Sequence, residues 1–216
     1  YLDDHSSGSN NGSAYIFVRS GTSWSQQAKL IANDTDGDNF GYSVDIYSDY
    51  AIVGAYRDDS GSYKGSAYIF YRDGTSWSQQ AKLTASDGAD NDYFGWRVDI
   101  YGDTVVIGAY GDDHSSGADA AGSAYIFVRS GTSWSQQAKL IANDTEGSDR
   151  FGTSVAIYGD TVIIGAYLDD HSSGSNNGSA YIFVRSGTSW SQQAKLTASD
   201  GADNDYFGWR VDIYGD

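Results

Sequence analysis

This chain predicts an all-β fold, a β-propeller of about four four-stranded blades of roughly 55 residues each, alone or as part of a larger ring or array. Three observations predict it. The phrase GSAYIF begins at Gly12, Gly65, Gly122 and Gly178, at intervals of 53, 57 and 56 residues, and every copy leads into GTSWSQQAKL. Such a period is too long for ankyrin or leucine-rich units and suits a blade better than a helix pair. The 216 residues include 18 Tyr, 8 Phe, 6 Trp and 27 Gly, so strand-forming aromatics alternate with turn formers and no helical window appears. Finally, each period divides into short alternating or apolar segments punctuated by turn residues, and units of this kind bury their apolar faces only against their neighbours.

The unit from Phe40 to Asn91 shows the elements in order. After Phe40-Gly41, YSVDIY alternates Tyr42, Val44 and Ile46 against Ser43, Asp45 and Tyr47, the period of a strand. Ser48-Asp49 then joins it to the apolar YAIVGA as a tight hairpin. Gly102-Asp103, Gly159-Asp160 and Gly215-Asp216 fill the same place elsewhere, and a Gly first in a two-residue loop suits a type II′ turn. The polar loop YRDDSGSYK leads to GSAYIFYR, where Ala67 and Ile69 face one way and Tyr68 and Phe70 the other, so both sides are covered. A DGTS turn leads to WSQQAKLTA, the most polar strand and therefore the expected outer edge. Along the chain this predicts two strands before Phe40, four in each of the next three units and one after Phe207, fifteen in all. The repeat units are approximately 1–55, 56–109, 110–166 and 167–216, the last lacking its second strand. With no Met, a bulky Tyr1 and both ends falling within a repeat, the chain is expected to be a piece of a longer protein.

Phe-Gly at 40, 94, 151 and 207, followed about thirteen residues later by Gly-Ala at 54, 108 and 165, resembles the FG-GAP repeat of integrin-type propellers, in its prokaryotic variety. Two features depart from the pattern. Tyr56, Tyr110 and Tyr167 stand where Gly-Ala-Pro has proline, and the calcium loop that integrins carry between the first two strands is reduced to the two-residue turn. The integrin calcium site therefore does not transfer. The resemblance implies a non-catalytic extracellular or cell-surface recognition and adhesion module, with seven blades in a complete ring.

The chain carries 29 acids against 13 bases, a net charge of −16, which disfavours nucleic acid and anionic membranes as partners. No apolar run approaches the roughly 20 residues of a membrane-spanning helix, so membrane insertion is not expected. The absence of Cys excludes thiol catalysis and thiolate metal sites. In an up-and-down blade the second-to-third loop and the connection to the next blade emerge at one end. That end receives 21 acids against only Arg57, Lys64 and Arg150.

Surface loops are rich in Asp, Asn, Ser and Gly because these residues form turns. The sharper expectation is calcium as a cofactor, since calcium takes six to eight oxygens and clustered carboxylates supply them. NDTDGDNFG carries Asp34, Asp36 and Asp38 with Gly37, a spacing similar to the opening of an EF-hand loop but without its closing Glu. The corresponding candidates are Asp87, Asp90 and Asp92; Asp144, Glu146 and Asp149; and Asp200, Asp203 and Asp205. Because one loop offers too few ligands, the second-to-third loops must contribute Asp58 and Asp59, Asp112 and Asp113, and Asp169 and Asp170.

DDHSSG places His5, His114 and His171 beside Asp and Ser, but neighbours in sequence cannot reach both imidazole nitrogens as a catalytic triad requires, so these are expected as loop residues or occasional ion ligands. Trp24, Trp77, Trp134 and Trp190 are expected to lock blade to blade. Trp96 and Trp209 stand where other copies have Tyr42 and Thr153, a variation that suggests a surface position and makes them the ligand-binding candidates. Sequons at Asn11, Asn33, Asn143 and Asn177 fall in loops of the acidic end. Three function classes follow. The favoured one is a recognition module that binds a protein or glycan ligand through the acidic, calcium-bearing face. The alternative is a structural array, because residues 1–30 equal 167–196 letter for letter, making blades interchangeable and favouring self-association through open blade edges. An enzyme is least supported, since no catalytic constellation occurs at a unique place.

Overall fold

The computed structural model describes residues 11–34, 38–58, 61–113, 119–171 and 175–215. The expected candidates Asp36, Asp59, His5 and His114 lie outside them. Fourteen strands and no helix are found among the described residues: β1 (Ala14–Ser20), β2 (Ser23–Leu30), β3 (Ser43–Tyr47), β4 (Tyr50–Ala55), β5 (Ser66–Asp73), β6 (Ser76–Leu83), β7 (Arg97–Tyr101), β8 (Thr104–Ala109), β9 (Ser123–Ser130), β10 (Ser133–Leu140), β11 (Ser154–Tyr158), β12 (Thr161–Ala166), β13 (Ser179–Ser186) and β14 (Ser189–Leu196). They form three antiparallel four-stranded sheets, β3–β6, β7–β10 and β11–β14, and the two-stranded sheet β1–β2. The chain is thus a β-propeller on four repeats, three blades complete and one represented by its outer pair.

The hydrogen-bonded blades are offset from the repeat units. In residues 1–55, β1 pairs with β2 and β3 with β4, yet β2 and β3 belong to different sheets. The fifteenth strand expected after Phe207 is not formed. Residues 207–216 repeat the letters of 94–103, but β7 is held by β8, and no described strand pairs with 210–214.

Each hairpin between the first two strands turns as expected. Gly102 and Gly159 have φ of 61° and 60°, while the Asp that follows stays out of the left-handed region, as a type II′ turn requires. Ser48 is forced to φ 56° at the same position. The third strand of each complete blade, β5, β9 or β13, is buried on both faces, with Tyr68, Tyr125 and Tyr181 fully enclosed.

The outer strands are polar because they couple blades. A register shift between the third and fourth strands leaves the second Gln of each copy opposite no partner, and such a bulge re-aims a side chain. Gln27, Gln80 and Gln137 thereby accept hydrogen bonds from the indoles of Trp77, Trp134 and Trp190 in the following blade, at 2.8, 2.9 and 2.9 Å. The first Gln reaches the other way: Gln79, Gln136 and Gln192 accept from the backbone N–H of Asn33, Ser86 and Asn143.

The Phe-Gly and Gly-Ala pairs meet at the seams. A Cβ on Gly54, Gly108 or Gly165 would fall 2.1, 2.0 or 1.9 Å from the carbonyl oxygen of Gly95, Gly152 or Gly208 in the next repeat. Only glycine permits that approach. The Phe before each of those glycines also bridges backward, Phe94 to Gly65 and Phe151 to Gly122, so each repeat begins on its predecessor's sheet. Along the inner strands, Asp45 accepts from Ile100 N–H at 2.9 Å and Asp99 accepts from Ile157 N–H at 2.7 Å. Burial and the neighbouring Asp45 raise the Asp99 carboxyl above the ordinary carboxylate range.

Candidate functional site at the axial end

Two arrangements occupy the loop-rich end, a ring of lysine clamps and a pocket on the axis. In the clamps the lysine of QAKL, at the end of the outer strand, turns inward between two loops. Lys82 lies 2.6 Å from both Asp34 and Asp58, Lys139 lies 2.7 Å from Asp87 and 2.8 Å from Asp112, and Lys195 lies 2.7 Å from Asp144 and 2.8 Å from Asp169. The buried hydroxyls of Tyr68, Tyr125 and Tyr181 donate to Asp58, Asp112 and Asp169 beneath them. Burial and these carboxylates push the three phenols far above their usual range. Burial opposes charge on Lys82, Lys139 and Lys195, but the paired carboxylates outweigh it and hold the ammonium groups above their ordinary value. Asp87 and Asp144, likewise opposed by burial, are held below theirs by the lysine.

Six of the expected calcium ligands, Asp34, Asp58, Asp87, Asp112, Asp144 and Asp169, therefore already hold a cation, the chain's own ammonium. Composition placed only Arg57, Lys64 and Arg150 at this end; Lys82, Lys139 and Lys195 reach it as well. Asp92, Asp149 and Asp205 instead fold their own loops, accepting from the N–H of Ala89, Glu146 and Ala202. Burial raises Asp92 to about 6 and Asp149 to about 7. Asp38 is buried at the equivalent place. Asp113, Asp170 and Asp203 accept from the N–H of Ala120, Asn176 and Ser175 across the loops, while Asp90, Glu146 and Asp200 are exposed. Among the described residues no group of three or more acidic or histidine side chains converges as a metal site. His171 sits against Gly178 O at 3.2 Å, a loop contact. Asn11 and Asn177 are fully buried, which removes two of the four sequons from the surface, whereas Asn33 and Asn143 are exposed.

The pocket has a volume of about 510 Å³ and lies where the inner strands converge. The residue after each Phe-Gly lines it, Tyr42, Trp96, Thr153 and Trp209, and so do Tyr110 and Tyr167 in the proline position of Gly-Ala-Pro. The two tryptophans singled out by their variation thus share one cavity, but Trp96 is not a surface residue. It is half-buried among Tyr42, Tyr56 and Tyr110, with ring centroids 4.5, 4.9 and 4.7 Å away. Trp209 is exposed and packs on Tyr167 at 4.2 Å. Arg97, Arg150 and Arg210 complete the wall. Arg97 lies 5.1 Å from the Tyr42 ring and 5.5 Å from that of Trp96, and Arg150 lies 5.2 Å from Tyr110. Burial and the facing Arg210 lower the affinity of Arg97 for its proton. Sequence reasoning missed Arg97 and Arg210, although the doublet Trp-Arg after Phe-Gly, present in two copies and replaced by Tyr-Ser and Thr-Ser in the others, carried the signal.

The family model described as FG-GAP repeat matches residues 24–70, 77–127, 134–183 and 190–216. The chain belongs to the FG-GAP repeat family. Among curated proteins none matches it. A solved structure titled "Structure of YjhT" is similar with a TM-score of 0.44 and 12% identity over 88% of this chain, which spans 60% of that one.

Proposed function

We propose that this propeller is a non-catalytic recognition module that captures a protein or glycan ligand at its loop-rich end, with the axial pocket as the point of capture. The observation that carries the reading is the convergence of Trp96, Trp209 and three arginines in one cavity of ligand size. The described lining holds no carboxylate or histidine to act as acid or base, which favours binding over catalysis. The proposed setting is extracellular or at a cell surface, in keeping with the resemblance to adhesion propellers. In this proposal lysine rather than calcium neutralises the loop carboxylates, so a chelator should leave the melting temperature unchanged; a drop of several degrees would restore calcium to the rim. The immobilised chain should capture members of a mixed glycan and peptide panel, and Trp209→Ala should abolish capture while leaving the β-type circular dichroism intact. Capture indifferent to that substitution would move the site elsewhere.

A second reading, assembly into arrays, is favoured by the flank formed by β1 and β3, where Tyr15, Phe17, Val44 and Ile46 are exposed. Exposed strand edges and apolar faces recruit other chains. Light scattering that shows a monomer at high concentration would remove this reading.

A further inference from the structure

In a protein of net charge −16, bases are scarce and carboxylates are everywhere at hand. Arg72, Lys82, Arg129, Lys139, Arg185 and Lys195 each face one. Arg97, Arg150 and Arg210 do not: among the described residues none of the three forms an ion pair, and all three line the axial pocket. Arg97 and Arg150 lie over aromatic rings instead, and Arg97 also donates to the carbonyl of Trp96 at 3.1 Å. Thr153, 5% exposed and lining the same pocket, carries a hydroxyl without a hydrogen-bond partner there. Guanidinium groups gathered in one cavity repel one another, and a buried hydroxyl left unpaired costs about 1–3 kcal/mol. Both are relieved by a ligand that is anionic and also offers hydrogen-bonding groups.

The rings narrow the class. Trp209, exposed beside the arginines, presents an apolar ring face, and such faces pack against the C–H side of a pyranose. A carboxylate matches the planar fork of arginine in two parallel hydrogen bonds. Inorganic phosphate would satisfy the arginines and leave the rings bare, and an acidic peptide side chain has no ring face of its own. Resting on the capture reading above, we propose that the axial pocket takes a carboxylate-bearing sugar, a single uronic-acid residue of a glycan, with its carboxylate on Arg97 and Arg210 and its ring against Trp209. The acidic loops around the mouth repel a polyanion, so a lone terminal uronate is preferred to a polyuronate chain.

The test is titration calorimetry on the 216-residue chain with a glucuronate-terminated trisaccharide, the same trisaccharide ending in glucose, polygalacturonate and an acetylated Asp-Glu dipeptide. The uronate trisaccharide should bind at least ten-fold more tightly than its neutral counterpart and than polygalacturonate. Arg97→Gln and Arg210→Gln should each remove that preference while retaining the neutral sugar's weak binding, with unchanged circular dichroism. If the preference survives in Arg210→Gln, whose site is more open and whose folding is less at risk, the assignment fails. Equal binding of both trisaccharides, or tighter binding of the dipeptide, overturns the uronate class and leaves the capture reading standing. No binding by any probe, together with no capture from the mixed panel, overturns both.

Discussion

Residues 12–30 and 178–196 are the same nineteen letters and fold into the same antiparallel pair, β1–β2 and β13–β14. Their surroundings could hardly differ more. Tyr181 is fully enclosed and Phe183 is 4% exposed, whereas Tyr15 is 46% and Phe17 54% exposed. The pairing, the bulge and the turn are local and appear twice; the burial is supplied by β12, paired along β13, and by Val106, Ala124 and Ile126 of the preceding sheet, and among the described residues β1 has no counterpart of either. What a repeat encodes is a surface, and what stabilises it is the next repeat, as expected of a quasi-linear array.

The largest effect expected on that comparison comes from breaking a seam between enclosed repeats. Gly108→Ala would set a methyl 2.0 Å from the Gly152 carbonyl, a backbone atom that cannot swing away. Chemical denaturation should show a loss beyond about 4 kcal/mol, or separation of the blades into distinct transitions. A loss below about 1 kcal/mol would mean that the seam relaxes and that the motif has some other basis.

The comparison itself is tested by making one substitution in both copies. Phe183→Ala should cost about 3–4 kcal/mol, in the range for a buried aromatic, and Phe17→Ala within about 0.5 kcal/mol, as for a surface change. Equal losses would show that β1 is covered in solution, and would point to a second chain on that flank.

Acid offers a subtler probe. Asp92 and Asp149, raised to about 6 and about 7, bind a proton more tightly in the folded chain than in the unfolded one. Their contribution to stability therefore grows as pH falls from 8 through those values toward about 4, where the unfolded carboxylate titrates. Asp87 and Asp144 are depressed, so the stability they supply is present above about pH 4 and lost below it. Melting temperature should climb from pH 8 to about 5 and then fall. Asp149→Asn should flatten the climb, and a profile that falls steadily from pH 8 would contradict the assignment.

The smallest effect expected concerns one turn. Ser48 holds the left-handed conformation that Gly102 and Gly159 hold in the other copies, so Ser48→Gly should stabilise by about 0.5–1 kcal/mol, strain relief exceeding the added freedom of the unfolded chain. A destabilised variant would mean that the serine side chain contributes more than its backbone costs.

These contrasts also mark what the letters could convey. The period, the four strands of a blade, the hairpin turns and the both-face burial of GSAYIF were legible, because each depends on alternation or on a turn residue within a dozen positions. The fate of residues 207–215 was not: FGWRVDIY is a strand at β7 and none at the second copy, since the partner decides. The acidic end was read by counting charges along the chain, which located the carboxylates correctly but missed Lys82, Lys139 and Lys195, long side chains anchored on a strand assigned to the periphery. Variation between copies did single out Trp96 and Trp209. That their neighbours Arg97 and Arg210 share the pocket follows from the inner segments of successive repeats converging on one cavity, a relation with no trace in spacing.

The seams are built from the same atoms every time: a glycine against a glycine carbonyl, an indole on a bulged glutamine, a phenylalanine reaching back one sheet. The axial mouth is the opposite, with Tyr42, Trp96, Thr153 and Trp209 one to a repeat. Recombination that adds, deletes or reorders whole repeats rejoins chemically equivalent seams while permuting the residues that line the pocket. A gene of this kind can change the lining of its axial pocket by unequal crossing-over alone, without a single point mutation and without renegotiating its stability.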